Sequence, residues 1–214
     1  MDEEISIINS NTRKEKIKNF FINNRKSLIV IISLILLLVF SLFLFSEIKD
    51  RKIKSISDKY NNIIINFNNS DKIKIKNELV EIIKSKNSTY SPLALYFIID
   101  NEIQASTDEI NEYFDIIIND TKLEKEIKNL VIYKKGLFNS EFETENNLIL
   151  ILNPLIKSES VWKSHALYLM AEFFYSKNEM QKSKEFFNQI LNLENANQEI
   201  QLEAQKRLNR DLSE

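Results

Sequence analysis

Residues 160–191 read SVWKSHALYLMAEFFYSKNEMQKSKEFFNQIL. Apolar side chains recur at three and four through both halves, and Ser176-Lys177-Asn178 between them marks a turn, so the stretch predicts two helices joined by a short loop. Leu167, Met170, Ala171, Phe174, Ser183 and Phe187 run large, large, small, aromatic, small, aromatic. That order has a packing sense. Ala171 removes bulk so that the second helix can approach the first, while Met170, Phe174 and Phe187 fill the groove around it.

The pattern recurs upstream. Ala94-Leu95-Tyr96, Val131-Ile132-Tyr133 and Ala166-Leu167-Tyr168 are spaced by 37 and 35 residues. A helix-pair repeat of about 34 residues is the tetratricopeptide period, and the final unit resembles that motif, with Ile190 in place of its later alanine and Asn195 in place of its proline. Gly136 takes the small position one unit earlier. A glycine in a helix interior costs about 1 kcal/mol against alanine, a cost that close helix packing explains. The unit at 90–119 carries Ile99 at that position, and Lys135 sits where an apolar residue belongs.

The rest of the chain extends the same reading. Polar clusters punctuate apolar stripes and predict helices near 49–67, 71–86, 90–104, 107–119, 122–138, 141–156, 160–176, 179–193 and 196–212. Three capping boxes are expected at helix starts: Ser106 with Glu109, Thr121 with Glu124, and Ser140 with Glu143. Pro154 predicts a kink or an early stop in the sixth of these helices. Ile200, Ala204, Leu208 and Leu212 form a stripe expected to cap the last repeat. The expected fold is all-α: an α-solenoid of degenerate tetratricopeptide-like hairpins over 89–214, closed by a C-terminal helix and preceded by membrane-proximal helices over 47–88.

Ahead of these lies SLIVIISLILLLVFSLFLFS, residues 27–46, twenty residues without a charge. At about 1.5 Å per residue they match a hydrocarbon core of roughly 30 Å, so a single transmembrane helix is expected. The 26-residue tail before it and Glu47-Ile48-Lys49-Asp50-Arg51 after it do not suit a cleaved signal peptide, so the helix is expected to stay as an anchor. Six basic residues precede the span (Arg13, Lys14, Lys16, Lys18, Arg25, Lys26) and five follow it (Lys49, Arg51, Lys52, Lys54, Lys59), so charge alone leaves the orientation open. A short basic tail is the usual cytoplasmic partner of such a span. Residues 1–26 are therefore expected in the cytoplasm and the helical domain outside it.

The whole plan is similar to the ancillary Sec translocon subunit family of YfgM type, including its α-proteobacterial relatives. Points of contact are Asp2-Glu3-Glu4 and Arg13-Lys14-Glu15-Lys16 before the span, Thr89-Tyr90-Ser91-Pro92-Leu93-Ala94 opening a repeat, and Ile200-Gln201-Leu202 in the closing helix. The chain departs from the family in lacking glycines between helices. The resemblance implies a bacterial inner-membrane protein with a periplasmic helical domain. Its implied partners are translocon subunits, periplasmic chaperones or unfolded secreted chains.

Composition argues against several other classes. With no cysteine and one histidine, His165, thiolate or two-histidine metal sites and a cysteine nucleophile have nothing to be built from. A single glycine offers no phosphate loop, and a net charge of −2 offers no footprint for nucleic acid. The expectation is a non-enzyme without cofactor, metal, nucleic-acid partner or small-molecule substrate. The other readings are a structural adaptor for envelope assembly or division, and an enzyme running on carboxylates alone. Counting three back from Ile99, Gly136 and Ala171 reaches Tyr96, Tyr133 and Tyr168, which the repeat register sets in line on a concave face, with His165, Glu172 and Tyr175 flanking the last. Tyrosine holds varied peptides at low entropic cost, so these six are the candidate partner groove. Trp162 at the head of the final unit is expected to pack under the hairpin end or to anchor a peptide.

Overall fold

The structure is a computed structural model and describes residues 14–16, 18–69 and 71–212. The expected tail contacts at residues 2–4 and 13 lie outside the described residues. The chain is mostly helical, with no strand among the described residues. It divides into two compact units, Met1–Ser55 and Ile56–Glu214.

The first unit consists of helical residues 14–16 and 18–23 and most of α1 (Arg25–Asn66). This helix is long and apolar enough to cross a membrane, with a mean hydropathy of 3.3 over an 18-residue window whose side chains are wholly unburied. The helix expected near 49–67 is its continuation. Neither glycine nor proline interrupts residues 46–49, and Glu47 accepts from Arg51 Nε at 2.7 Å, the i, i+4 pairing that supports a helix.

In the second unit α1 ends by burying Tyr60 and Ile63, and eight α-helices follow among the described residues. They are α2 (Lys72–Lys84), α3 (Tyr90–Asp100), α4 (Thr107–Asp115), α5 (Lys125–Asn139), α6 (Glu145–Ile156), α7 (Lys163–Ser176), α8 (Met180–Leu191) and α9 (Gln198–Asp211). The apolar periodicity produces their buried faces. In α2, for instance, Ile75, Leu79, Ile82 and Ile83 make one stripe. Neighbours in sequence pack as pairs, α2 with α3, α5 with α6 and α7 with α8, while α5 also touches α7 and α7 touches α9.

Three successive apolar clusters result. The first joins the end of α1 to α2, α3, α4 and Val131 of α5. The second joins Ile132 of α5 to Leu148, Leu152 and Leu155 of α6 and Met170 and Phe174 of α7. The third joins Leu167 and Ala171 of α7 to Phe187 and Ile190 of α8 and Ala204 and Leu208 of α9. Helices α5 and α7 thus each serve two clusters with adjacent residues, which ties every helix pair to the next.

Gly136 lies where close packing demands it. A Cβ built there would stand 2.4 Å from Leu152 Cδ2 and 2.9 Å from its Cγ, so a side chain at 136 requires Leu152 to shift. Ala171 and Ser183 are fully buried between α7 and α8, as the small positions of the pattern require.

Among the described residues seven polar contacts link residues 33 to 37 apart, alongside others at 20, 22 and 28 (Lys135–Asp115, Lys59–Glu81 and Asn111–Asn139). Tyr90 Oη donates to Ser57 Oγ at 2.6 Å across 33 residues, and Lys76 Nζ to Glu109 Oε1 at 2.8 Å across 33. Lys86 reaches Asp120 at 2.9 Å across 34, Ser160 Oγ donates to Glu126 at 2.6 Å across 34, and Lys182 reaches Glu145 at 2.9 Å across 37. The Asn197 amide donates to Ser164 Oγ at 3.3 Å across 33, and Arg207 Nε to Glu172 at 2.7 Å across 35.

The caps require two corrections. The box at Ser106 and Glu109 is present in both directions. The other two are not. α4 runs on into a π-turn over Ile116–Asp120, Thr121 turns its hydroxyl back to the Ile116 carbonyl at 3.3 Å, and α5 begins only at Lys125. Ser140 instead closes α5 by donating to the Leu137 carbonyl at 2.8 Å, and Thr144 opens α6 by accepting from the Asn147 amide at 3.4 Å. Helix α6 continues two residues past Pro154 to Ile156. Three helix ends turn through left-handed residues that are not glycine, namely Lys86 (φ 55°), Glu102 (φ 49°) and Asn178 (φ 62°).

Candidate functional site

Tyr96, Tyr133 and Tyr168 stand on α3, α5 and α7, the alternate helices of the second unit, and each ring is half-buried. Their register is shared but their surroundings differ, so the six candidate residues separate into three groups.

Tyr96 borders a cavity of about 140 Å³ lined also by Ile99, Asp100, Phe114, Lys134, Leu137 and Phe138. Lys134 Nζ sits 5.0 Å above the ring, a cation–π distance. The hydroxyl is buried and has no hydrogen-bond partner among the described residues, and burial pushes the phenol up to about 12.

Tyr133 and His165 come together, and Trp162 joins them. The Tyr133 ring stacks on the Trp162 indole at 5.7 Å and 20°, and His165 meets Tyr133 edge-on at 5.7 Å and Trp162 at 5.1 Å. Such ring pairs contribute about 0.5–1.5 kcal/mol beyond their buried area. Trp162 is held at the head of α7 because its amide donates to Ser160 Oγ at 3.1 Å, and that hydroxyl in turn donates to Glu126 of α5. Burial pushes the His165 imidazole below its ordinary value, only partly offset by the Val161 carbonyl, and raises the Tyr133 phenol. Near neutral pH the trio is therefore an uncharged aromatic surface.

Tyr168, Glu172 and Tyr175 form the third group, and α9 occupies it. Glu172 accepts two bonds from Arg207, from Nε at 2.7 Å and from Nη2 at 2.6 Å, and the same guanidinium lies 4.2 Å over the Tyr175 ring. Arg207 also pairs with Asp211, which accepts from Arg210 Nε at 2.8 Å. Tyr168 packs edge-on against Phe187 at 5.4 Å, and burial with the Glu172 charge pushes its phenol up to about 12. The carboxylate and the terminal ring of this group thus face a helix of the chain itself.

Sequence reasoning missed Lys134 and Arg207. The signal for Arg207 was legible in principle, since it lies 35 residues beyond Glu172, the same spacing as Tyr133 to Tyr168. No comparable signal distinguishes Lys134 from the other lysines of the chain. Comparison with known proteins assigns no relative: no family model, no curated protein and no solved structure matches the chain.

Proposed function

We propose that the chain is a single-pass membrane protein whose helical unit is a degenerate tetratricopeptide-like solenoid, working as a non-enzymatic scaffold for other proteins. The observation that carries this reading is the run of side-chain contacts between residues 33 to 37 apart, from Ser57–Tyr90 to Glu172–Arg207. Contacts at one repeat length are what stacked repeats of that length produce, because each unit touches only its neighbours. The close approach of α6 to Gly136 and the buried Ala171 and Ser183 support the same arrangement.

In this reading the aromatic trio Tyr133, Trp162 and His165 is the docking point for an extended or helical segment of a partner. A rigid, uncharged aromatic face suits a scaffold that receives varied chains. The setting we propose is ancillary to the Sec translocon in a bacterial inner membrane, with the tail cytoplasmic and the helical unit periplasmic among chaperones and emerging chains. The anchor and the family resemblance support that setting.

Co-purification from gently solubilised membranes tests the role. Recovery of translocon subunits and periplasmic chaperones is expected, whereas recovery of cell-wall or outer-membrane assembly proteins in their place would favour the adaptor reading. Alkaline phosphatase fused after Asn209 tests the orientation. Activity is expected, and an inactive fusion with a fluorescent cytoplasmic reporter at the same site would overturn it.

A further inference from the structure

Residues 47–54 carry four cations, Lys49, Arg51, Lys52 and Lys54, against two anions, Glu47 and Asp50, directly after the uncharged stretch of α1 that ends at Ser46. All eight are exposed. Arg51 is paired with Glu47 at 2.7 Å, while Lys49, Lys52 and Lys54 are in no ion pair among the described residues. At 100° per residue the other three cations lie about 140°, 200° and 300° round the helix from Lys49 (Lys54, Arg51 and Lys52 in that order), so the charge encircles the helix and favours no one face.

We propose that this segment is a cationic collar that binds the anionic phospholipid headgroups of the leaflet from which α1 emerges. The proposal rests on the reading of α1 as a membrane span. Lys49 stands about 4–5 Å and Lys54 about 12 Å beyond Ser46 along the axis. The headgroup layer is roughly 5–7 Å thick on each side, and lysine stems reach back toward it, so all three free ammonium groups meet phosphate. The arrangement of the charges selects this partner. A folded protein would engage one face of the helix, whereas headgroups surround a spanning helix on all sides and can satisfy cations spaced around its circumference.

The chain contains no cysteine, so Ser55→Cys in the full-length protein gives a single dye site beside the collar. The labelled protein is reconstituted into phosphatidylcholine vesicles holding a trace of fluorescent phosphatidylglycerol or, in parallel, of fluorescent phosphatidylcholine. Energy transfer should favour phosphatidylglycerol by roughly fivefold, the worth of one well-placed basic residue at an anionic surface. The excess should fall to parity in K49Q/K52Q/K54Q and persist in K49R/K52R/K54R. Equal transfer to both lipids in the unsubstituted chain, or an excess that survives the glutamine variant, overturns the collar. Loss of the excess on adding inorganic phosphate at constant ionic strength also overturns it, in favour of a site for free phosphate. Alkaline carbonate extraction of the same vesicles separates the two levels: retention with equal transfer removes the collar alone, while release removes the span and the collar with it.

Discussion

Gly136→Ala is the substitution that most directly probes how the helix pairs are built. On an exposed helix it would stabilise by about 1 kcal/mol, because alanine loses less backbone entropy on folding. Here the new methyl would stand 2.4 Å from Leu152 Cδ2, over an ångström inside ordinary contact. Leu152 is fully buried in the second cluster, so its displacement disturbs the packed residues around it. Overpacking of this kind costs about 1–3 kcal/mol, which outweighs the propensity gain, so a net loss of about 1–2 kcal/mol is expected. The single tryptophan, Trp162, lies in the same cluster and reports unfolding in urea through its fluorescence. Leu152→Ala should itself cost about 2–5 kcal/mol. On that background Gly136→Ala should reverse sign and stabilise by about 1 kcal/mol, since the wall it struck is gone, and the cycle should show a coupling of about 2–3 kcal/mol. A stabilising Gly136→Ala in the otherwise unaltered chain, or a cycle without coupling, would refute the close approach of α5 and α6 and weaken the repeat reading that rests on it.

Ser183→Ala should raise stability by about 1 kcal/mol in the same urea assay, because the serine hydroxyl is buried without a hydrogen-bond partner among the described residues; a loss would reveal a bond the geometry does not contain. Glu102→Gly should raise the melting temperature by the equivalent of about 1 kcal/mol, since φ of 49° strains any side chain, while Asn178→Gly should gain less, asparagine tolerating that region better. The Arg210 guanidinium, with Arg207 beside it, holds the Asp211 carboxyl down at about 2 from an ordinary 3.8. Its contribution to stability is thus fully present above about pH 4 and is lost as pH falls through 2; Asp211→Asn should flatten that part of the pH–stability curve, and identical acid limbs in both proteins would contradict the pairing.

The helices were legible because two independent signals coincide, apolar residues at three and four and polar clusters between them. Helix ends were less so. Glycine normally marks the left-handed residue after a helix, but here lysine, glutamate and asparagine take that conformation at 86, 102 and 178, and lysine or glutamate in a loop carries no such mark. Thr121 and Ser140 show the same limit at helix starts. A hydroxyl three residues before a glutamate fits a capping box, yet the same hydroxyl can bond backward to a carbonyl, and only the packing of the preceding helix decides which. At Ile116-Ile117-Ile118 the widening to a π-turn leaves no trace in residue type.

The candidate groove illustrates how register and surroundings separate. Counting back from the small positions places three tyrosines on alternate helices, but what each ring meets depends on residues elsewhere in the unit. Lys134 covers the first, Trp162 and His165 flank the second, and around the third Arg207 draws Glu172 and Tyr175 against α9. The last position has α9 of its own chain as a neighbour. A partner that reads this face would therefore meet only the second tyrosine as an aromatic surface free of charge, and would compete with a lysine at the first and with a bidentate ion pair at the third. Under the proposed docking role the three positions are one strong and two weak points of attachment, and alanine substitutions along the line should differ in their effect on partner capture for that reason.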